Sequence, residues 1–273
     1  VLEQAPQAPE PTPQVSDTEV ETRLIASLPL EPEPQAPQVP VILSDLRIKK
    51  IYRVGEKLTY NIRWLGITVG YATLEVKGIV DIDGRKHYHL MSRARSNDFL
   101  SKIYPVEDVI ESFIDAETLL SRRFKKIQRE GRYRSEEEVD HDQEKHTGHY
   151  YSKKNESSKD FEILPDSQDT LSVFYYFRYL DWKIGDVKNI NVVADEKKHV
   201  VHVRVLDKER LEVRNLGVHE AIVVEPILEF QGFFQRKGRI WIWFSDDEYH
   251  VPLMMETKVP IIGSINATLT KIE

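Results

Sequence analysis

RIWIWFSDDEYHVPLMM, residues 239–255, decides how this chain folds. Drawn as a strand, it puts Trp241 and Trp243 on one face and Ile240, Ile242 and Phe244 on the other. An ordinary antiparallel strand keeps one face in water, so a strand that is apolar on both sides needs cover on both. Pro252 interrupts the second half, which is compatible with a sheet edge or a bulge, where a barrel would open.

Outward from that stretch, alternation dominates. KLTYNIRW sets Leu58, Tyr60, Ile62 and Trp64 against Lys57, Thr59, Asn61 and Arg63, the period of a half-buried strand. ITVGYATLEVKGIV follows, with Gly66 placed for a turn and Gly70 for a bulge or a close backbone approach. Asp83-Gly84 reads as a hairpin turn. DVIESFID, LLSRRFKKIQRE, HVVHVRVL, RLEVRNLG and HEAIVVEPILEF extend the series, so the expected class is mainly β with antiparallel strands.

LPDSQDTLSVFYYFRYLDW breaks the alternation. Asp166 and Ser167 are candidate caps, and Leu171, Phe174, Tyr175 and Arg178 recur at helical spacing beside Val173, Phe177 and Leu180. A helix over about 168–182, apolar around this much of its circumference, requires burial on more than one side. The expected fold is an antiparallel curved sheet forming an open or nearly closed barrel around that one buried helix. Trp241, Trp243, Met254, Phe174 and Phe177 are then the candidate lining of an aromatic concavity that binds a hydrophobic or lipid-like ligand.

Composition divides the chain. Nine of its 14 prolines and a net charge of −7 lie in residues 1–45, a Pro/Glu/Gln-rich segment that reads as a disordered linker. Residues 46–273 carry 37 bases and 37 acids and read as a single domain. That balance does not suit a nucleic-acid binder. VETRLIASLPL, around residues 20–30, could dock an envelope protein partner or be inert. Cysteine is absent, and no apolar run approaches the roughly 18 residues of a membrane-spanning helix. These features lead to the expectation of an exported envelope protein, with room for a lipid anchor upstream of Val1. A cytosolic protein is the alternative.

Each polar cluster has a structural reading beside the chemical one. Asp246 and Asp247 in SDDEYH could serve acid–base chemistry, but adjacent strand residues diverge and Asp favours turns. His141, His146 and His149 supply zinc-ligand types without a zinc-site spacing, so a polar hairpin is expected and no metal. The bases of SRRFKKIQREGRYR precede the acids of SEEEVDHDQE, which suits cross-strand ion pairs better than an anion-binding rim. No nucleophile elbow, phosphate loop or metalloprotease helix occurs. The expectation is a non-enzymatic protein without a cofactor. A structural scaffold with a filled barrel is the alternative, and a glycan hydrolase using Asp246, Asp247 or Glu248 a distant third.

GEKLTYNIRWLGITVGYATLEV, DTLSVFYYFR and GRIWIWFSDDEYHVPLMMETKVPIIGSINATL together resemble a bacterial family named domain of unknown function 3108. The resemblance spans most of residues 50–273. It implies export to the periplasm or envelope of a Gram-negative cell and a β-rich fold similar to open barrels that carry hydrophobic molecules. It implies no catalytic residue.

Overall fold

The computed structural model describes residues 45–228, 239–259 and 263–273. The linker expected over residues 1–45, apart from Asp45, and the docking segment around 20–30 lie outside the described residues. In chain order the elements are α1 (Asp45–Ile51), β1 (Lys57–Trp64), β2 (Ile67–Ile82), β3 (Arg85–Ser96), β4 (Glu107–Asp115), β5 (Ser121–Glu130), β6 (Tyr133–Asp142), β7 (Thr147–Ser152), β8 (Ser157–Glu162), β9 (Gln168–Asp169), α2 (Ser172–Tyr179), β10 (Val187–Ala194), β11 (Lys197–Val213), β12 (Gly217–Leu228), β13 (Arg239–Ser245), β14 (Pro252–Val259) and β15 (Gly263–Ile272).

All of the described strands join one antiparallel sheet, apart from a short parallel pairing of β9 with β10. Its spatial order runs from β8 back to β1, crosses to β15, and continues down to β9. The first and last strands therefore pair in the middle of the sheet, Trp64 against Ile265 and Leu58 against Ile272. The free edges come from the middle of the chain, β8 and β9, and no backbone ladder joins them, so the sheet is not closed. The sheet nevertheless bends far enough for side chains to span that gap. Lys198 pairs with Glu162 (2.8 Å) and Lys159 with Glu196 (3.5 Å). Charged residues along β8 also discourage pairing with a foreign strand.

Local chemistry explains the turns. Leu65-Gly66 and Asp83-Gly84 both hold positive φ at both positions, the twist a two-residue hairpin needs. At Gly70 a Cβ would stand 2.4 Å from the Arg95 carbonyl oxygen, so only glycine lets β2 and β3 approach there. The charge block resolves as cross-strand pairs between β5 and β6: Arg123–Asp140 (2.6 Å), Lys125–Glu138 (3.0 Å) and Lys126–Glu137 (3.0 Å).

Three expectations need correction. α2 covers Ser172–Tyr179, eight residues and not the span 168–182. Gln168 and Asp169 are taken by pairing with Val192 and Val193, so the helix can start only after them. Its first turn is capped by Asp169, whose Oδ1 accepts the Leu171 and Ser172 amides while its own amide donates to Ser172 Oγ; Asp166 and Ser167 take no part. The helix ends at Leu180, which is extended, and the Phe177 carbonyl accepts both the Leu180 amide (3.3 Å) and the Trp182 indole N–H (3.0 Å). A second helix, α1, was not foreseen; it buries Ile48 and Ile51. Finally, the bulge expected at Pro252 is present, between Trp243 and Phe244, but the strand that Pro252 begins is central, so it marks no edge.

Candidate functional site

Two apolar clusters occupy one part of the interior. The larger gathers α1, the β1–β3 face, β15 and α2, with Tyr52 stacked between Tyr88 (5.2 Å) and Tyr175 (5.9 Å). The smaller sets Phe177 and Trp182 against valines of β10–β12 and against Ile242 and Phe244. Five of the eight α2 residues are buried, including Arg178. Arg178 makes a two-pronged ion pair with the equally buried Glu56 (2.5 and 3.2 Å) and donates to the Tyr249 carbonyl (3.2 Å). Burial alone would lower the Arg178 guanidinium, but the Glu56 carboxylate outweighs it and raises it.

The five candidate ligand residues do not converge. Cross-strand partners share a face. Ile242 pairs with Met255, and Phe244 lies 6.0 Å from Phe174 and 6.4 Å from Phe177. Phe174 and Phe177 are thus packed on the Ile242–Phe244 face. Trp243 pairs with Met254 on the opposite face and donates its indole N–H to Glu209 (2.9 Å). Trp241, on that same face, lies under the Arg239 guanidinium at 4.6 Å. Trp241 and Met254 thus stand apart from the phenylalanines, whereas Trp243 and Phe174 both pack against the larger cluster, and Met255, not Met254, meets both clusters.

The polar motifs also resolve. Ser245–His250 forms a turn in which Asp247 Oδ1 accepts from Ser245 Oγ and from the Tyr249 and His250 amides; Asp246 pairs with Lys208. His149 is exposed and pairs with Asp160 (2.6 Å), while His146 sits in the β6–β7 turn at φ 54°. Among the described residues no group of three ligands suits a metal.

His141 behaves differently. It faces inward from β6 and is 1% exposed. Together with Asp169 it lies in the wall of a cavity of about 380 Å³, within the size range of small-ligand sites. Phe124, Val139, Tyr150 and Val193 form the apolar wall, and Asp195, Glu196 and Tyr133 stand toward the end of the sheet where β10 turns into β11. Lys126 is the one base against the acids Glu137, Asp169, Asp195 and Glu196. Burial alone would lower its ammonium, but Glu137 and then Asp195 outweigh that and hold it above its ordinary value.

Hydrogen bonding fixes the polarity of this wall. Asp169 Oδ2 accepts from Ser112 Oγ (2.5 Å) and Ser121 Oγ (2.6 Å), while Oδ1 accepts two amides. Four donors saturate a carboxylate. Ser121 has one hydroxyl proton and gives it to Asp169, so at its contact with His141 Nδ1 (3.3 Å) Ser121 Oγ accepts. Nδ1 therefore carries the hydrogen and Nε2 presents a bare lone pair. That atom is buried and has no hydrogen-bond partner. Burial holds the imidazole below its ordinary pKa, only partly offset by Asp169, which keeps it neutral and able to accept.

Neither Asp169 nor its two serines stood out in the sequence. The signals available were His141 sharing strand parity with Val139, and the spacing Asp169-x-x-Ser172 ahead of an apolar helix.

A β-barrel-like protein of the family DUF1849 from Brucella abortus has a similar solved structure, with a TM-score of 0.54 at 11% identity, covering 81% of this chain and 97% of that one. This likeness concerns fold alone. Weaker likenesses, each with a TM-score of 0.37 at 8% identity, link the chain to a provisionally described exported protein from Bacteroides fragilis and a provisionally described lipoprotein from Parabacteroides distasonis. Each covers 81% of this chain, and 96% and 95% of those chains respectively. Among curated proteins nothing matches. No helix among the described residues is long and apolar enough to cross a membrane. The family model for protein of unknown function DUF3108 matches residues 59–270, and the chain belongs to that family.

Proposed function

We propose that this is an envelope protein that holds a small amphipathic ligand in the cavity beside β9, acting by binding and not by catalysis. The unpartnered Nε2 of buried His141 carries this reading. The head group donates a hydrogen bond to that atom. An amine suits it best, because acids outnumber bases in the lining; its apolar part lies on Phe124, Val139 and Val193. In this reading the sheet wraps α2 as an open barrel, α2 fills one part of it, and the ligand takes the remainder. An envelope location accords with the lack of cysteine and with the exported character that the family resemblance implies.

Ser121, His141 and Asp169 contain the residue types of a hydrolytic triad, but they are wired otherwise. In a triad histidine takes the serine proton and aspartate holds the histidine. Here Asp169 takes the serine proton directly, and histidine donates to serine.

The test is uptake of 1-aminoanthracene, an aromatic amine that fluoresces in apolar surroundings, together with native mass spectrometry of the gently purified chain. Wild type is expected to bind the probe or to carry a co-purifying molecule, and His141→Phe to lose both while remaining folded. A wild-type protein that is empty and takes up no probe refutes the proposal.

The scaffold reading draws on a different observation, the solid packing of Phe174 and Phe177 against Phe244. Stoichiometric crosslinking in cells of one partner through residues 20–30, with an empty cavity, would favour it.

A further inference from the structure

One end of the sheet carries apolar side chains that no internal contact explains. The β1–β2 turn exposes Leu65 and Ile67, each 68% exposed, and the β3–β4 connection exposes Phe99 and Ile103, each 73%. These tips belong to one continuous ridge. Asn97 ties the two connections together through its amide to the Val69 carbonyl (2.9 Å) and its Nδ2 to the Thr68 carbonyl (2.7 Å). Tyr104, 47% exposed, closes over Gly131 of the β5–β6 turn, where a Cβ would meet the ring at 2.8 Å.

Charge singles out the same ridge. Residues 63–68, 95–105 and 130–134 hold five bases, Arg63, Arg95, Lys102, Arg132 and Arg134, against Asp98 and Glu130. None of the five forms an ion pair with an acid among the described residues, whereas Lys50, Arg123, Lys126 and Lys208 elsewhere all do. Arg63 folds back on the Gly66 carbonyl, and Arg95 lies over the Tyr71 ring at 5.4 Å. Beyond residue 45 the chain is neutral as a whole, so this excess is local. At the opposite end the β13–β14 turn presents Asp246, Asp247 and Glu248.

We infer that this end docks on the surface of an anionic phospholipid membrane. Separate loop tips bearing Phe, Ile and Leu enter the headgroup layer, and basic side chains around them engage lipid phosphates. Tyr and Arg are residues that settle at such a boundary, apolar stem inward and polar end in water. A protein partner would be expected to meet a flat, close-packed patch; here apolar tips project from two neighbouring connections, with the basic β5–β6 turn beside them. The inference rests on the ridge alone and needs no ligand in the cavity.

The experiment is co-sedimentation of the full chain with two vesicle preparations, mixed phosphatidylethanolamine and phosphatidylglycerol, and phosphatidylcholine alone. Wild type is expected to pellet with the anionic vesicles and to be released by salt. Phe99→Ser combined with Ile103→Ser should weaken binding by about tenfold or more, and Arg95→Gln combined with Lys102→Gln should weaken it on anionic vesicles only. Phe99, Lys102 and Ile103 lie on an exposed connection and Arg95 is exposed at the end of β3, and an unchanged melting temperature checks that each variant is folded. Wild type left in the supernatant, or ridge variants that bind like wild type, overturns the inference. So does a ridge that captures a protein while ignoring both vesicle types.

Discussion

The interior has a filled part and a hollow part, and the two are built from different chemistry. Around α2, rings and branched chains interdigitate, and a buried charge pair, Glu56–Arg178, is compensated group for group. Beside β9 the sheet leaves room, and the wall is held by a carboxylate, two serines and a histidine. Aromatic abundance therefore marks where this protein is packed. Both parts hold unsatisfied buried polar atoms, the Tyr52 and Tyr175 hydroxyls in the packed cluster and His141 Nε2 in the hollow part, but only His141 belongs to a wall beside open space.

The largest contrast should come from the ion pair. Arg178→Leu is expected to cost about 3–5 kcal/mol in urea unfolding, because it strands the Glu56 carboxylate away from water. Combining Glu56→Gln with Arg178→Met should recover much of that loss. A single-variant cost near zero would mean that this part is wetter than its burial implies.

Enlarging a side chain probes packing directly. Val203→Phe, in the smaller cluster, should cost about 1–3 kcal/mol, while Val193→Phe, facing the cavity, should cost under about 1 kcal/mol and abolish probe uptake. Equal penalties would erase the distinction between filled and hollow.

Acid should act on both parts. Burial holds His141 and His250 below the ordinary 6.5. The unfolded chain therefore takes up their protons first, so stability is complete above that pH and falls as pH drops toward the folded values. Each histidine contributes a slope of up to about 1.4 kcal/mol per pH unit, and His141→Gln should remove its own share from a pH series of unfolding curves. The smallest effect belongs to Trp241→Ala. Its indole is only partly covered, by the Arg239 guanidinium, so a loss of about 1 kcal/mol or less is expected in the same unfolding assay.

The strands were legible because alternation is a local property. Leu58, Tyr60, Asp83-Gly84 and the Lys126–Glu137 pair could all be placed from their neighbours in sequence. The length of α2 was not legible, because Gln168 and Asp169 are withdrawn into the sheet by β10, which comes later in the chain. Nor was the site. Ser112 and Ser121 lie 57 and 48 residues from the Asp169 they serve, and short polar residues on strands carry no periodic signal of burial. Of the conspicuous pair on β13, Trp243 packs against the cluster that includes α2, while Trp241 lies under the Arg239 guanidinium, a difference that spacing alone does not carry.

The pairing of β1 with β15 has a consequence for how the molecule comes into being. Residues some two hundred positions apart must meet before the two halves of the sheet have any backbone connection. Such a high contact order implies slow folding, and a nascent chain lacking its last ten residues would hold two half-sheets with raw inner edges. Completion is thus postponed until β15 is available, which suits the export that the proposed envelope location would require.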